Sequence, residues 1–211
     1  MIRLNLVCLF CLILTACQNT FNILTPHTYK IALVAPFEGR QRQIGYDAFP
    51  ALRMAVREQI ETQRHSLFQI TFIAYNDNAD PSFATKVAGN VAIDPDTLVV
   101  IGHLLSATTQ AAQPTYNKAG LPVLTLDETP TDCANQVFHF EATPEQRSTA
   151  QPNIDAHYRE ASGGPPPGDS SAPAYLATQY ALAAVRSAAA PDGQPTRARV
   201  ARVLAQQAGC Q

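Results

Sequence analysis

Short apolar runs alternate with amphipathic stretches along the chain, and the alternation has two periods. Lys30 to Ala35 is a continuous apolar run stopped by Pro36, the pattern of a strand covered on both faces. From Tyr46 to Gln63 the apolar positions Leu52, Ala55, Val56 and Ile60 recur at helical spacing, while Arg53, Arg57, Glu58 and Glu61 supply a wet face, which predicts an amphipathic helix. Phe68 to Tyr75 returns to period two, with Phe68, Ile70, Phe72 and Ala74 on one side of the pleat. Asp80-Pro81 then predicts a helix over Ser82–Ala92, because Asp at the N-cap accepts orphan amide hydrogens and proline fits the first turn. Leu98 to Ile101 is a wholly apolar strand. Ser106 to Lys118 reads as a helix stopped at Ala119-Gly120, and Leu121 to Leu126 as a further strand, with Val137 to Phe140 a short one beside it.

Four strands separated by three helices predict right-handed βαβ crossovers, hence an α/β, Rossmann-like lobe over residues 30–141 with a parallel sheet and helices on both faces. After Glu141 the pattern breaks. Residues 142–173 are rich in Pro, Gly, Ser and Thr, including Gly163-Gly164-Pro165-Pro166-Pro167-Gly168, and read as a linker. Residues 174–208 regain helical character: Leu176, Tyr180, Leu182 and Val185 mark one helix over Ala174–Ala190. Val200, Val203 and Leu204 mark a second over Arg197–Gln207, behind a Thr196 cap. These two C-terminal helices are expected to pack on the lobe.

The amino terminus has its own signature. Met1-Ile2-Arg3 is a short cationic start, and the apolar run Leu4 to Leu14 is too short for the roughly 20 residues of a membrane span. Leu14-Thr15-Ala16-Cys17 resembles the lipobox of bacterial lipoproteins. That resemblance implies a signal peptide over residues 1–16, a lipid on Cys17, a tether over 17–29, and a product anchored to the membrane outside the cytoplasm. Cleavage would remove Cys8 and Cys11 and leave Cys133 and Cys210 as thiols in an oxidising compartment. Whether they pair is open, since sequence does not fix the Cα separation a bridge requires.

Charge and motif narrow the chemistry. Fifteen Lys and Arg against 17 Asp and Glu give a formal charge of −2, with no positive field to collect a nucleic-acid backbone. Gly39 to Gly45 carries neither a dinucleotide fingerprint nor a P-loop ending. Asn76-x-Asn78-x-Asp80 lacks the turning glycine of a calcium loop, and Val87 stands where the bidentate Glu belongs. The five histidines, His27, His65, His103, His139 and His157, show no metal-ligand spacing. No metal or cofactor is therefore expected. His103, Ser106 and Asp127 make a hydrolase triad on paper, but Gly-x-Ser-x-Gly is absent, and Cys133 has no nucleophile signature; no catalysis is expected.

Val100-Ile101-Gly102-His103-Leu104-Leu105-Ser106-Ala107-Thr108-Thr109-Gln110 closely resembles the third-strand loop of leucine/isoleucine/valine-type periplasmic binding proteins. Lys30 to Gly39 with the later Gly45, Tyr75 to Pro81, and Ala119 to Thr125 match in register, so the resemblance covers about residues 30 to 140. Residues 174–185 and 195–204 resemble the family's late helices, which return to the same lobe. The family closes two lobes around an amino acid and delivers it to an ABC permease. The resemblance implies a small polar, amino-acid-like ligand and a permease partner. The stretch between Phe140 and Ala174 is shorter than the roughly 50 residues of a small domain, so most of a second lobe is expected to be missing. An anchored single-lobe interaction module and a non-functional gene fragment are the alternatives.

Carried over residue by residue, the resemblance assigns the ligand to Ser106 and Thr108 on one loop and to Asp127 and Thr129 on the other. Ser106 has two readings: a seat for a carboxylate where helix amides point outward, or a plain helix cap. Asp127-Glu128 departs from the small residues usual in the family. Asp127 could pair with a ligand ammonium, fill the pocket, or stand solvated beside Glu128. Arg40 and Arg42, between Gly39 and Gly45, either attract an anionic group at the crevice or are simply exposed.

Overall fold

The computed structural model describes residues 26–62, 67–189 and 193–210. The signal segment, Cys17 and the first part of the tether lie outside the described residues. The described residues form five strands and six helices. Strand β1 is His27–Ala35, β2 Phe68–Asn76, β3 Thr97–Gly102, β4 Val123–Thr125 and β5 Val137–His139. Helix α1 is Arg42–Thr62, α2 Pro81–Ala92, α3 Ser106–Lys118, α4 Pro144–Ser162, α5 Ser171–Ala188 and α6 Arg197–Gln207. All strands are parallel, in the order β2-β1-β3-β4-β5. The order reverses beside β1, which puts the topological switch point, and the crevice that goes with it, outside the carboxyl ends of β1 and β3.

Alternation along the strands sorts the core into two layers. Ile31, Leu33 and Ala35 face a cluster with α1, α4, α5 and α6, whereas Ala32 and Val34 face α2 and α3 through Val87, Val91, Ala112 and Tyr116. Both sides of β1 are fully buried from Ile31 to Ala35, which is why that run is apolar without a break. Each large aliphatic side chain removed from water there contributes about 1.5–3 kcal/mol. Edge strand β2 instead alternates buried Phe68 and Ile70 with exposed Gln69, Thr71 and Ile73. The helix starts follow the sequence signals. Asp80 accepts from the Phe83 amide at 2.7 Å, and Thr196 accepts from the Arg199 amide.

Two expectations are corrected. His27 to Tyr29, expected in the tether, extend β1 and pair with Phe68 to Ile70. Tyr29 stacks edge-on against Phe68 with centroids 5.5 Å apart, so the strand continues as far as its neighbour gives it a partner. The expected linker over 142–173 contains helix α4. Thr143 and Gln146 form a reciprocal capping box, Pro144 opens the first turn, and Gly163 closes the helix in the left-handed region at φ 79°. Ala150, Ile154, Tyr158 and Ala161 are its buried stripe. That helical spacing was masked by a composition that is otherwise polar. The helix is anchored to α1 at the carboxyl end of its stripe: Tyr158 Oη donates to the Asp47 carbonyl at 2.9 Å, and Arg53 Nη2 donates to the Ala161 carbonyl at 2.7 Å. Among the described residues, no helix is long and apolar enough to cross a membrane.

Cys133 and Cys210 are bonded, with Cα atoms 6.0 Å apart. The bridge fastens the end of the chain beyond α6 to the return segment 126–136, which runs from the carboxyl end of β4 back to the amino end of β5.

Candidate functional site

The carboxyl edge of the sheet is built from the turns that follow β1, β2, β3 and β4. Glycine is required at one of these turns: Gly102 has φ 121°, and a Cβ there would collide with the Val34 carbonyl. The β3 strand can therefore close on β1 just before the chain turns into α3.

His103 follows, fully buried. Its Nδ1 lies 2.7 Å from Asp77 Oδ2 and its Nε2 3.1 Å from Tyr116 Oη. Burial pushes the Tyr116 phenol up, so it keeps its proton and can donate to Nε2, leaving the Nδ1 proton for Asp77. Asp77 Oδ1 accepts from the Ala79 amide at 2.9 Å. Both ring nitrogens are thus committed to the interior, tying the β3–α3 turn to the β2–α2 turn and to the last turn of α3. The grouping of His103 with Ser106 and Asp127 is not assembled.

Leu105, not Ser106, occupies the N-cap of α3, and no side chain caps there. Ser106 is the first helical residue, half-buried, and its hydroxyl makes no hydrogen bond among the described residues. The capping reading of Ser106 is therefore excluded. Thr108 is fully buried and its hydroxyl donates to the Leu105 carbonyl at 2.9 Å, so it shapes the first turn.

On the loop after β4, Asp127 is half-buried and held through both oxygens: Oδ1 accepts from the Thr129 amide at 2.6 Å, and Oδ2 from the Thr109 hydroxyl at 2.5 Å. The solvated reading fits Glu128, which is exposed, and not Asp127. Thr129 is 7% exposed, and its buried Oγ1 has no hydrogen-bond partner among the described residues. Ser106 and Thr129 thus follow neighbouring strands at the same end of the sheet, and the Thr109–Asp127 bond joins their loops.

Thr109 lies within the Val100 to Gln110 stretch but is not among the residues that the resemblance assigns to the ligand, and it opens a series. Thr109, Gln113 and Asn117, four residues apart on α3, bond Asp127 at 2.5 Å, Asp132 at 3.4 Å and Asn135 at 2.7 Å. Residues 126–136 are laid along one stripe of the helix. Side-chain and backbone bonds from Asn135 hold the Asp132 carboxyl below the usual carboxylate range. Arg40 is exposed, and Arg42, also exposed, donates to the Gly39 carbonyl at 3.0 Å. Two concavities lie away from this rim. One of about 580 Å³ runs between α4 and α5 past Phe140, Ala150, Leu176 and Tyr180, and one of about 230 Å³ lies between α1 and α4 beside Glu58, Asn153 and His157. Between them Tyr175 Oη donates to Glu58 Oε2 at 2.6 Å, and Asn153 Nδ2 donates to Glu58 Oε1 at 2.7 Å. No group of His, Cys, Asp and Glu among the described residues is arranged to hold a metal ion.

The parallel sheet ordered β2-β1-β3-β4-β5, with helices on both faces and hydroxyl-bearing turns after two neighbouring strands at its carboxyl edge, is a Rossmann-like lobe. A family model described as periplasmic binding protein matches residues 28–151, more than half of the chain, which belongs to that family. Over 102 residues the chain is 31% identical to the leucine-, isoleucine-, valine-, threonine- and alanine-binding protein of Pseudomonas aeruginosa, covering 48% of this chain and 27% of that one. Over 104 residues it is 30% identical to the Leu/Ile/Val-binding protein of Escherichia coli, covering 49% and 28%. The matched stretch spans little more than a quarter of each curated relative. Among solved structures, a possible leucine/isoleucine/valine-binding protein from Rhodopirellula baltica shares the fold, with a TM-score of 0.50 and 15% identity over 74% of this chain and 45% of that one.

Proposed function

We propose that the chain is an extracytoplasmic, lipid-anchored solute-binding protein of the branched-chain amino acid ABC-transporter type, which receives a small polar, amino-acid-like ligand at the carboxyl edge of its sheet without transforming it. One observation carries the reading. Ser106, with an unengaged hydroxyl, and Thr129, with an unpartnered one, lie on adjacent loops beside the switch point, where open α/β sheets hold their ligands. Thr108 holds the first loop, Asp127 holds the second and keeps acceptor capacity toward the ligand, and Ser106 and Thr129 meet the ligand. The family match and the relatives named for amino-acid binding support this reading, and a permease would be the partner that takes the ligand onward. A lobe acting alone leaves one side of the ligand in water, so affinity is expected in the millimolar range, about −4 kcal/mol.

Calorimetric titration of the chain with amino acids, small carboxylates and small amines tests it. Saturable heats lost in Ser106→Ala support capture at this rim; heats unchanged by that substitution, or none with any compound, count against it.

A further inference from the structure

We propose that Asp127 is a specificity-determining residue that occupies the carboxylate seat of the rim with the protein's own carboxylate, so that the lobe selects small organic cations, ammonium-bearing ligands without a free carboxylate. This rests on the reading of the rim given above and narrows its ligand class.

A loop that receives a ligand carboxylate does so with amide and hydroxyl hydrogens aimed at the place where the anion will sit. Here the donors of the second loop already face an anion. The Thr129 amide points to Asp127 Oδ1 at 2.6 Å. The Thr109 hydroxyl, whose single hydrogen is shared among three acceptors in reach, is nearest Asp127 Oδ2 at 2.5 Å, with the His103 and Leu105 carbonyls at 3.1 and 3.2 Å. The Asp127 amide itself turns inward to Thr125 Oγ1 at 3.3 Å. A second carboxylate brought to this seat would lose those donors and stand against a fixed negative charge in a half-buried position, where like charges at contact distance repel far more than in water.

The same arrangement suits a cation. An ionised carboxylate offers about four lone-pair directions, and these two bonds use one on each oxygen, so acceptor capacity remains for an ammonium. The Thr129 hydroxyl is buried without a partner in the same turn, Ser106 offers an unengaged hydroxyl across the loop junction, and exposed Glu128 adds a second negative charge beside it. Arg40 and Arg42, on the β1–α1 loop, are exposed to solvent and their fields are screened over about 8–10 Å at ordinary salt.

The test is calorimetry on the chain with three probes that share one isobutyl group: isobutylamine, isovalerate and L-leucine. Wild type is expected to bind the amine at least about ten-fold more tightly than isovalerate or leucine, a tenfold ratio being the scale of one charge-assisted hydrogen bond. Asp127→Ala frees the Thr129 amide and should reverse the order. Asp127→Asn keeps the shape and the bond from the Thr129 amide, lets its own amide donate to the Thr109 hydroxyl, whose hydrogen turns to the His103 or Leu105 carbonyl, and removes the charge; it should weaken amine binding about ten-fold, and circular dichroism and melting curves establish that each variant is folded. Wild type that binds leucine or isovalerate as well as the amine, with heats lost in Ser106→Ala, overturns the selection of cations and leaves capture at the rim standing. Silence from all three probes in wild type and both variants overturns the rim reading, and this inference with it.

Discussion

The guanidinium of Arg197 donates from Nε to the main-chain carbonyl of Thr97 at 2.8 Å, joining the first residue of α6 to the first residue of β3. Its Nη1 reaches the Ala119 carbonyl at 3.2 Å, and its Nη2 the carbonyls of Ala92 and Asp94 at 3.1 and 2.5 Å. One side chain therefore satisfies orphan carbonyls at the ends of both α2 and α3, where a positive charge is favoured by the helix dipoles. Burial pulls its pKa down, yet a guanidinium stays charged under all ordinary conditions.

Arg197→Ala is expected to cost about 3 kcal/mol, the scale of losing charged hydrogen bonds and stranding half-buried carbonyls. Arg197→Lys should recover less than half of that, because an ammonium cannot reproduce the fork. Urea unfolding reads both; an alanine variant within about 0.5 kcal/mol of wild type, the range of an ordinary surface substitution, contradicts the role.

Reduction of the Cys133–Cys210 bridge, which closes a sequence separation of 77, should destabilise the chain by about 2–5 kcal/mol. Thermal unfolding with and without reductant measures it. Cys133→Ser should melt where the reduced wild type does, and should no longer respond to reductant.

His103→Leu should be among the more damaging substitutions, about 3–5 kcal/mol, because it leaves the Asp77 carboxylate buried without its partner. His103→Asn can keep a donor toward Asp77 and is expected to cost clearly less. Equal losses for the two variants would mean that packing, and not the Asp77 bond, sets the cost.

Lys30 Nζ lies 2.6 Å from Asp94 Oδ2. The hydrogen bond to Asp94 raises Lys30, and the hydrogen bond from Lys30 lowers Asp94. A depressed carboxylate contributes stability above its unfolded value, near 3.8, and loses it as pH falls through the lower folded value. A raised lysine contributes below its unfolded value of 10.5 and loses it as pH rises through the higher folded one. Wild type should therefore exceed Asp94→Asn by about 1 kcal/mol across the neutral range. The gap should close both in acid and in strong alkali. A gap that is constant from neutrality into strong acid would refute the assignment.

Much of the sheet is legible in the sequence because its evidence is local. Pro36 ends β1, Asp80-Pro81 starts α2 and Thr196 caps α6, each through a backbone requirement met within a few residues. Helix α4 escapes a composition argument because Pro144, Pro152 and the glycines after Ser162 mark a loop by content, whereas Ala150, Ile154 and Tyr158 mark a helix by spacing, and spacing decides once α1 and α5 supply the surface to bury it. Ser106 and Thr129 can be placed at one edge from strand order alone. The engagement of Asp127 cannot, since it depends on Thr109, whose role appears only when α3 is laid beside the β4 loop. The partners of His103 are long-range for the same reason: Asp77 and Tyr116 come to it from two other elements.

The bonds from Thr109, Gln113 and Asn117 have a kinetic corollary. A segment pinned to a helix at successive turns cannot peel away one residue at a time; it shares the opening free energy of the helix beneath it. Amide hydrogen exchange over residues 126–136 should accordingly be slow and cooperative with α3. A solute arriving at the rim would then find its half of the receptor already ordered, with little entropy left to lose there on association.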